Sequence, residues 1–117
     1  MNAKLLAQAA QVPEAALTDW GPVEEPIGEP VSQTSGTILH RDADGANEAG
    51  LWLCTPGTWR CEIERAEFCQ FLSGRSIYTS DEGVRIEVEG GDAAYFPAGW
   101  RGTCEVVASV RKTYMIP

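Results

Sequence analysis

Few side chains in this sequence can do chemistry, and Glu67 heads them. It stands between a charged stretch, Glu62–Arg65, and the apolar run Phe68–Leu72. At a strand start a Glu is usually solvated; turned inward, it becomes an acid or base. A carboxylate in a partly dry cavity needs a cation or several donors, or its protonated form is favoured. Arg60, Arg101 and Arg111 are candidate cations, and the sequence does not choose among them. Cys69 is two residues on and shares the strand face of Glu67. Cys61 with Glu67 makes a partial site for zinc or copper, but catalytic zinc normally keeps three protein ligands. Cys54, Cys61, Cys69 and Cys104 contain no CxxC pair, so a closed zinc site is absent. All four are expected to be buried, reduced thiols. His40 is the only histidine, so paired-imidazole chemistry within one chain is excluded. The string Asp42–Glu48 hints at a calcium loop. Its Gly45 falls at position 4 rather than 6, and Leu53 stands at position 12, so it reads as a turn. No phosphate loop of the GxxxxGK type is present.

These residues must be positioned by strands. Thr58–Glu64 alternates, with Trp59, Cys61 and Ile63 on one side and Arg60, Glu62 and Glu64 on the other, the mark of a half-buried strand. Val84, Ile86 and Val88 alternate likewise. Leu51–Leu53, Glu67–Leu72, Ile77–Thr79, Ala93–Phe96, Thr103–Val107 and Arg111–Ile116 complete the set. Turns are expected at Ser80–Gly83, Gly90–Asp92 and Pro97–Gly99. Eight or nine short strands with no interior helix predict an all-β sandwich or small barrel.

The chain has 117 residues, enough for one domain with an apolar core. Residues 1–36 read as an N-terminal arm and 37–117 as the barrel. The arm holds four of the seven prolines and one basic residue against five acidic; the rest has eight basic against twelve. Repeated Pro makes 21–33 extended, docked through Trp20, Val23 and Ile27, and a short helix is expected over 3–10. The net charge of −8 argues against nucleic acid or an anionic membrane as partner. The patch Leu5-Leu6-Ala7 is too weak for a signal-peptide core, and no run approaches the roughly 18 apolar residues of a membrane span. A cytoplasmic location is expected.

Two segments resemble one family. Glu67, six residues and Gly74 match the second half of the first cupin motif. Gly91-Asp92, four residues and Pro97-Ala98-Gly99 match the start of the second. With Val110-Arg111-Lys112-Thr113-Tyr114, these are similar to the small single-domain cupins of the ureidoglycine aminohydrolase-like group (DUF861, Cupin_3). The resemblance covers about residues 50–117. It implies a double-stranded β-helix, the RmlC-like jelly roll, with one open mouth and Glu67 turned inward. Metal-binding cupins use a His-x-His pair, a Glu and a second-motif His. With three residues before Glu67 the pair falls on Cys61 and Ile63, the register the alternation favours, and with four on Arg60 and Glu62; the second-motif His falls on Gly102, so only Glu67 survives and no metal or other cofactor is expected. Trp59, Cys61, Ile63, Glu67, Cys69, Trp100 and Gly102 are the expected pocket residues, with Tyr95 and Tyr114 as further partners whose facing is open. The resemblance implies a small polar metabolite as ligand. It also implies a homodimer, with the arm adding to a neighbour's sheet edge. One reading is a metal-free binding module. Another is an aminohydrolase, isomerase or lyase using Glu67 as acid or base. A third is a structural protein whose barrel is filled by side chains.

Overall fold

The computed structural model describes residues 2–117. Its strands are β1 Thr18–Pro22, β2 Gln33–Arg41, β3 Glu48–Cys54, β4 Gly57–Glu62, β5 Glu67–Ser80, β6 Arg85–Glu89, β7 Ala93–Phe96 and β8 Arg101–Ile116. They form one antiparallel sheet in the order β1-β2-β3-β8-β5-β6, with β4 on β8 and β7 on β5. The two long strands make the roll. The C-terminal half of β8 pairs with β3 and its N-terminal half with β4. Likewise β5 pairs with β7 through Glu67–Gln70 and with β6 through Arg75–Thr79. The double-stranded jelly roll expected from the resemblance is therefore present.

Two pairs of expected strands are continuous. Glu67–Leu72 and Ile77–Thr79 join into β5, and Thr103–Val107 and Arg111–Ile116 join into β8. Ser73-Gly74 is a bend inside a strand, where the β5–β8 register slips three times between Phe71 and Ser76. Gly74 has φ +86°, and a Cβ there would lie 2.0 Å from the Ser109 carbonyl oxygen. Only glycine lets the strands cross so closely.

The period of two sorts the side chains as expected on β4 and β8, but not on β6, where Val88 is buried while Ile86 and the preceding Val84 are exposed. On β8 the even positions Gly102, Cys104, Val106, Val110, Lys112 and Tyr114 are all buried. The interior packs Cys54, Cys69, Phe71, Val88, Cys104, Val106 and Val110, so three of the four thiols are buried fillers. Turns stand where Gly and Asp fall. Ser80 Oγ accepts from Val84 N at 3.1 Å, and Asp92 Oδ2 from Glu89 N at 2.9 Å. Asp42–Asn47 is a turn as well, closed by Asp42 N donating to Asn47 O.

The first residues differ from expectation. Two 3-10 turns, Ala9–Gln11 and Glu14–Ala16, replace a helix over 3–10. Pro13, which cannot extend a helix, separates them. The arm pairs within its own chain: β1 joins β2, and β2 runs across the expected boundary at residue 36. Pro26 bridges Trp59, while Ile27 N donates to Thr58 O and Arg60 N to Glu25 O. The exposed edge of β4 is thus covered by the same chain. Of the residues expected to dock the arm, Val23 packs against the core and Trp20 lies over Gly36 while still partly exposed, whereas Ile27 is half exposed, because its contacts are made by backbone. No helix among the described residues is long and apolar enough to cross a membrane.

Candidate functional site

The barrel interior is not filled. A chamber of about 300 Å³ lies beside the packed core. Three indoles (Trp20, Trp52 and Trp59) wall it, with Ile63, Ile116, Tyr78 and Phe96. The Trp52 and Trp59 rings stand 6.3 Å apart, and the Tyr78 and Phe96 rings 4.8 Å apart. Gly36 makes room for one wall, since a Cβ there would meet the Trp20 ring at 2.4 Å. Outside the chamber a vestibule shares Trp20, Trp52, Trp59 and Glu67 and carries Glu24, Glu25, Glu62 and Glu64 against Arg60 and Arg65. Both arginines are engaged: Arg60 grips Asp81 with two nitrogens, and Arg65 donates to Ala46 O.

The chamber's polar centre is Lys112 with Glu67. Lys112 Nζ donates to Glu67 Oε2 at 2.7 Å, and both side chains are nearly buried. Cys69 Sγ donates to the same oxygen at 3.3 Å. Lys112 Nζ also sits 4.6 Å from the centre of the Trp52 ring, a cation–π contact. No described residue donates to Glu67 Oε1. Burial is the largest single influence and works against the Lys112 ammonium, but the Glu67 carboxylate and its hydrogen bond, with Cys69 and Cys104, together hold the pKa above the usual lysine value. Burial pushes the Cys54 and Cys61 thiols up to about 11 and Cys69 to about 12, so they are protonated at neutral pH. Glu48, which also lines the chamber, accepts from Tyr114 Oη at 2.6 Å and from Arg41 Nε at 2.8 Å. The Tyr114 hydroxyl, then Arg41, holds the Glu48 carboxyl below its usual range despite partial burial.

The positions expected to form the pocket divide. Trp59, Cys61, Ile63, Glu67 and Tyr114 line the chamber, and Cys69 touches it through Glu67. Gly102 pairs with Cys61 across the sheet but is walled off: a Cβ there would meet Thr79 O at 2.1 Å and the Trp100 ring at 2.8 Å. Trp100 lies behind Phe96 and Tyr78 and faces an outer groove with Val84 and Ile86. Tyr95 is on the outer face and largely exposed, because Phe96 takes the inward phase of β7. None of the three candidate arginines reaches Glu67. Arg60 is held by Asp81, Arg101 is 3.7 Å from Glu62, and Arg111 donates to the carbonyls of Ala9 and Val12. All three occupy the outward phase of their strands.

Lys112, Glu48, Trp52 and Tyr78 are the site residues that the motif spacing does not reveal. Lys112 does carry a signal: it sits in the apolar phase Val110, Tyr114, Ile116, where a lysine must find a buried partner. Glu48 carries none, because it resembles the other acids of its turn. The four ligand positions of metal-binding cupins do not fit an ion. Ile63 and Gly102 offer no donor, and Glu67 is engaged by Lys112. Among the described residues no group of three or more His, Cys, Asp or Glu is arranged to hold a metal. His40 is exposed on the outer surface, bonded to Lys4 and Asp42.

The family model of the EutQ-like cupin domain matches residues 41–114. The structure is similar to a DUF861-family protein of unknown function from Pseudomonas syringae pv. tomato, with a TM-score of 0.78 and 23% identity. That match covers 89% of this chain but 45% of the other, so this chain spans less than half of that protein. A DUF861-family protein from Thermotoga maritima is 28% identical over 57% of this chain and 76% of its own, with a TM-score of 0.56. A DUF1255 protein of unknown function from Acidithiobacillus ferrooxidans is 26% identical, with a TM-score of 0.62, and covers 93% of this chain and 97% of its own. No curated protein matches the sequence.

Proposed function

The chain belongs to the EutQ-like cupin domain family, and on that premise we propose that its barrel binds a small polar metabolite at the Lys112–Glu67 pair. The observation that carries this reading is a buried ion pair on the wall of an aromatic chamber. Stability alone is a weak reason to keep such a pair, since replacing buried ion pairs by apolar residues is often neutral or stabilising. Here it faces about 300 Å³ of space, at the lower end of the size range of ligand pockets. The pair offers ammonium protons and the uncommitted Glu67 Oε1, a donor and an acceptor side by side. A ligand with a carbonyl oxygen next to an N–H, O–H or acidic C–H satisfies both. The cavity also weighs against a barrel filled by its own side chains.

The second reading is catalysis, with Glu67 as acid or base. The same free Oε1 favours it, because a proton-transferring group must present a lone pair to the substrate. Lys112 would hold negative charge that develops on the adjoining oxygen. A thermal-shift screen of small carbonyl, carboxylate and amide metabolites tests the first reading. Ligands that raise Tm of the wild type, with the shift lost in Glu67→Gln, are the expected result. No stabilisation by any compound would overturn it. Turnover of a stabilising ligand that survives in Glu67→Gln would remove the carboxylate from the mechanism.

A further inference from the structure

We propose that Lys112 is a covalent capture site for a small aldehyde or ketone, which it binds as an imine. This rests on the reading of the chamber as a metabolite pocket and names the class of compound it holds. Four features converge. Lys112 lines the chamber beside Glu67, which is where a carbonyl carbon would meet its amine. Glu67 Oε2 is 2.7 Å away and takes the proton that Nζ must lose before its lone pair can attack. The wall around them is indole and phenyl, which gives the carbon chain of a carbonyl compound apolar contact while the open side of the chamber lets the released water leave. The charge requirement is already met, because an iminium carries the same single positive charge as the ammonium it replaces. The carboxylate and the Trp52 face that hold the one hold the other.

The step balances without any further reactant. Lys112 passes one proton to Glu67, and the nitrogen lone pair forms the C–N bond as the carbonyl π electrons move to oxygen. That oxygen collects a proton from nitrogen and the one held by Glu67, and leaves as water. The ammonium and the carbonyl compound become an iminium and one water. Cys69 does not compete for the carbonyl, since its protonated thiol is spent on the hydrogen bond to Glu67.

The sequence supplies its own control. Lys4 and Lys112 are its only lysines, and Lys4 is exposed on the outer surface. Full-length protein at pH 7 is incubated with propanal or with pyruvate plus cyanoborohydride, which reduces iminium to a stable amine, and digested for peptide mass mapping. The ion pair leaves less neutral amine on Lys112 than on Lys4 at pH 7, and a positioned acceptor and a bound carbonyl must outweigh this, so Lys112 is expected to be alkylated by at least one probe at least about tenfold faster than Lys4. Lys112→Arg keeps a cation beside Glu67 without a primary amine, so the variant should still fold cooperatively while the alkylation at this position vanishes. If that variant does not fold, the ratio of Lys112 to Lys4 in the wild type still decides. Labelling of Lys112 no faster than Lys4, while carbonyl ligands still raise Tm without reductant, would overturn the imine and leave the pocket standing. Neither labelling nor a thermal shift with any probe would overturn both.

Discussion

Replacing Lys112 by Met tests the site and the fold together. The change keeps the length of the side chain and removes its charge, leaving the Glu67 carboxylate without a cation. The charges lie 2.7 Å apart, with side chains 10% and 15% exposed. At an effective dielectric near 20, Coulomb attraction at that separation is about 6 kcal/mol gross. Desolvation offsets part of this, and breaking a buried pair costs about 3–5 kcal/mol. The chamber lets water reach Glu67, so the lower figure applies, about 3 kcal/mol at pH 7. Adding Glu67→Gln should recover about 2 kcal/mol, because the second change removes the orphaned charge. Urea unfolding followed by tryptophan emission reads all four species of the cycle, and a 3 kcal/mol loss moves the midpoint by about 2 M. The pH dependence has a definite sign. An orphaned buried carboxylate is easier to protonate than the same group in the unfolded chain, so the Lys112→Met deficit is full at pH 7 and shrinks as pH falls toward the ordinary carboxyl value of about 4.3. A double variant as unstable as the sum of the singles, or a deficit equal at pH 7 and pH 4, would refute the coupling.

Two further outcomes follow from the same geometry. Tyr114→Phe removes the donor that chiefly holds the Glu48 carboxyl below its usual range. It should cost about 1–2 kcal/mol at pH 7 and let the Glu48 carboxyl titrate nearer its ordinary value by NMR. A depressed carboxyl contributes stability above its unfolded pKa and loses it as pH falls through the folded one. The deficit should therefore fade in acid; a constant deficit would contradict the bond. Native Cys61 and Cys69, with thiols raised to about 11 and 12, should react with a disulfide reagent at pH 8 at least about 100-fold more slowly than free cysteine. Prompt reaction of either thiol in the folded protein would show that burial does not govern them.

The sequence alone determined the period of the strands and the places where the chain turns. Alternation at Thr58–Glu64 put Trp59, Cys61 and Ile63 inward, since side-chain direction along a strand is a local property with a period of two. The turn glycines were equally legible, because a positive φ is a demand on one residue. The resemblance located Glu67 and the loss of the imidazole ligands. What cation Glu67 meets was decided only by tertiary structure. Arg60, Arg101 and Arg111 are close in type and plausible in sequence, yet each sits in the outward phase of its strand. Lys112, 45 residues along the chain from Glu67, is brought to it by the pairing of β8 with β5. The continuity of β5 through Ser73-Gly74 was hidden for a related reason. A glycine that ends a strand and one that lets two strands cross look alike until the opposing backbone is in place. Where the arm docks, and that a chamber remains beside the core, depend on contacts between distant segments, which no local pattern records.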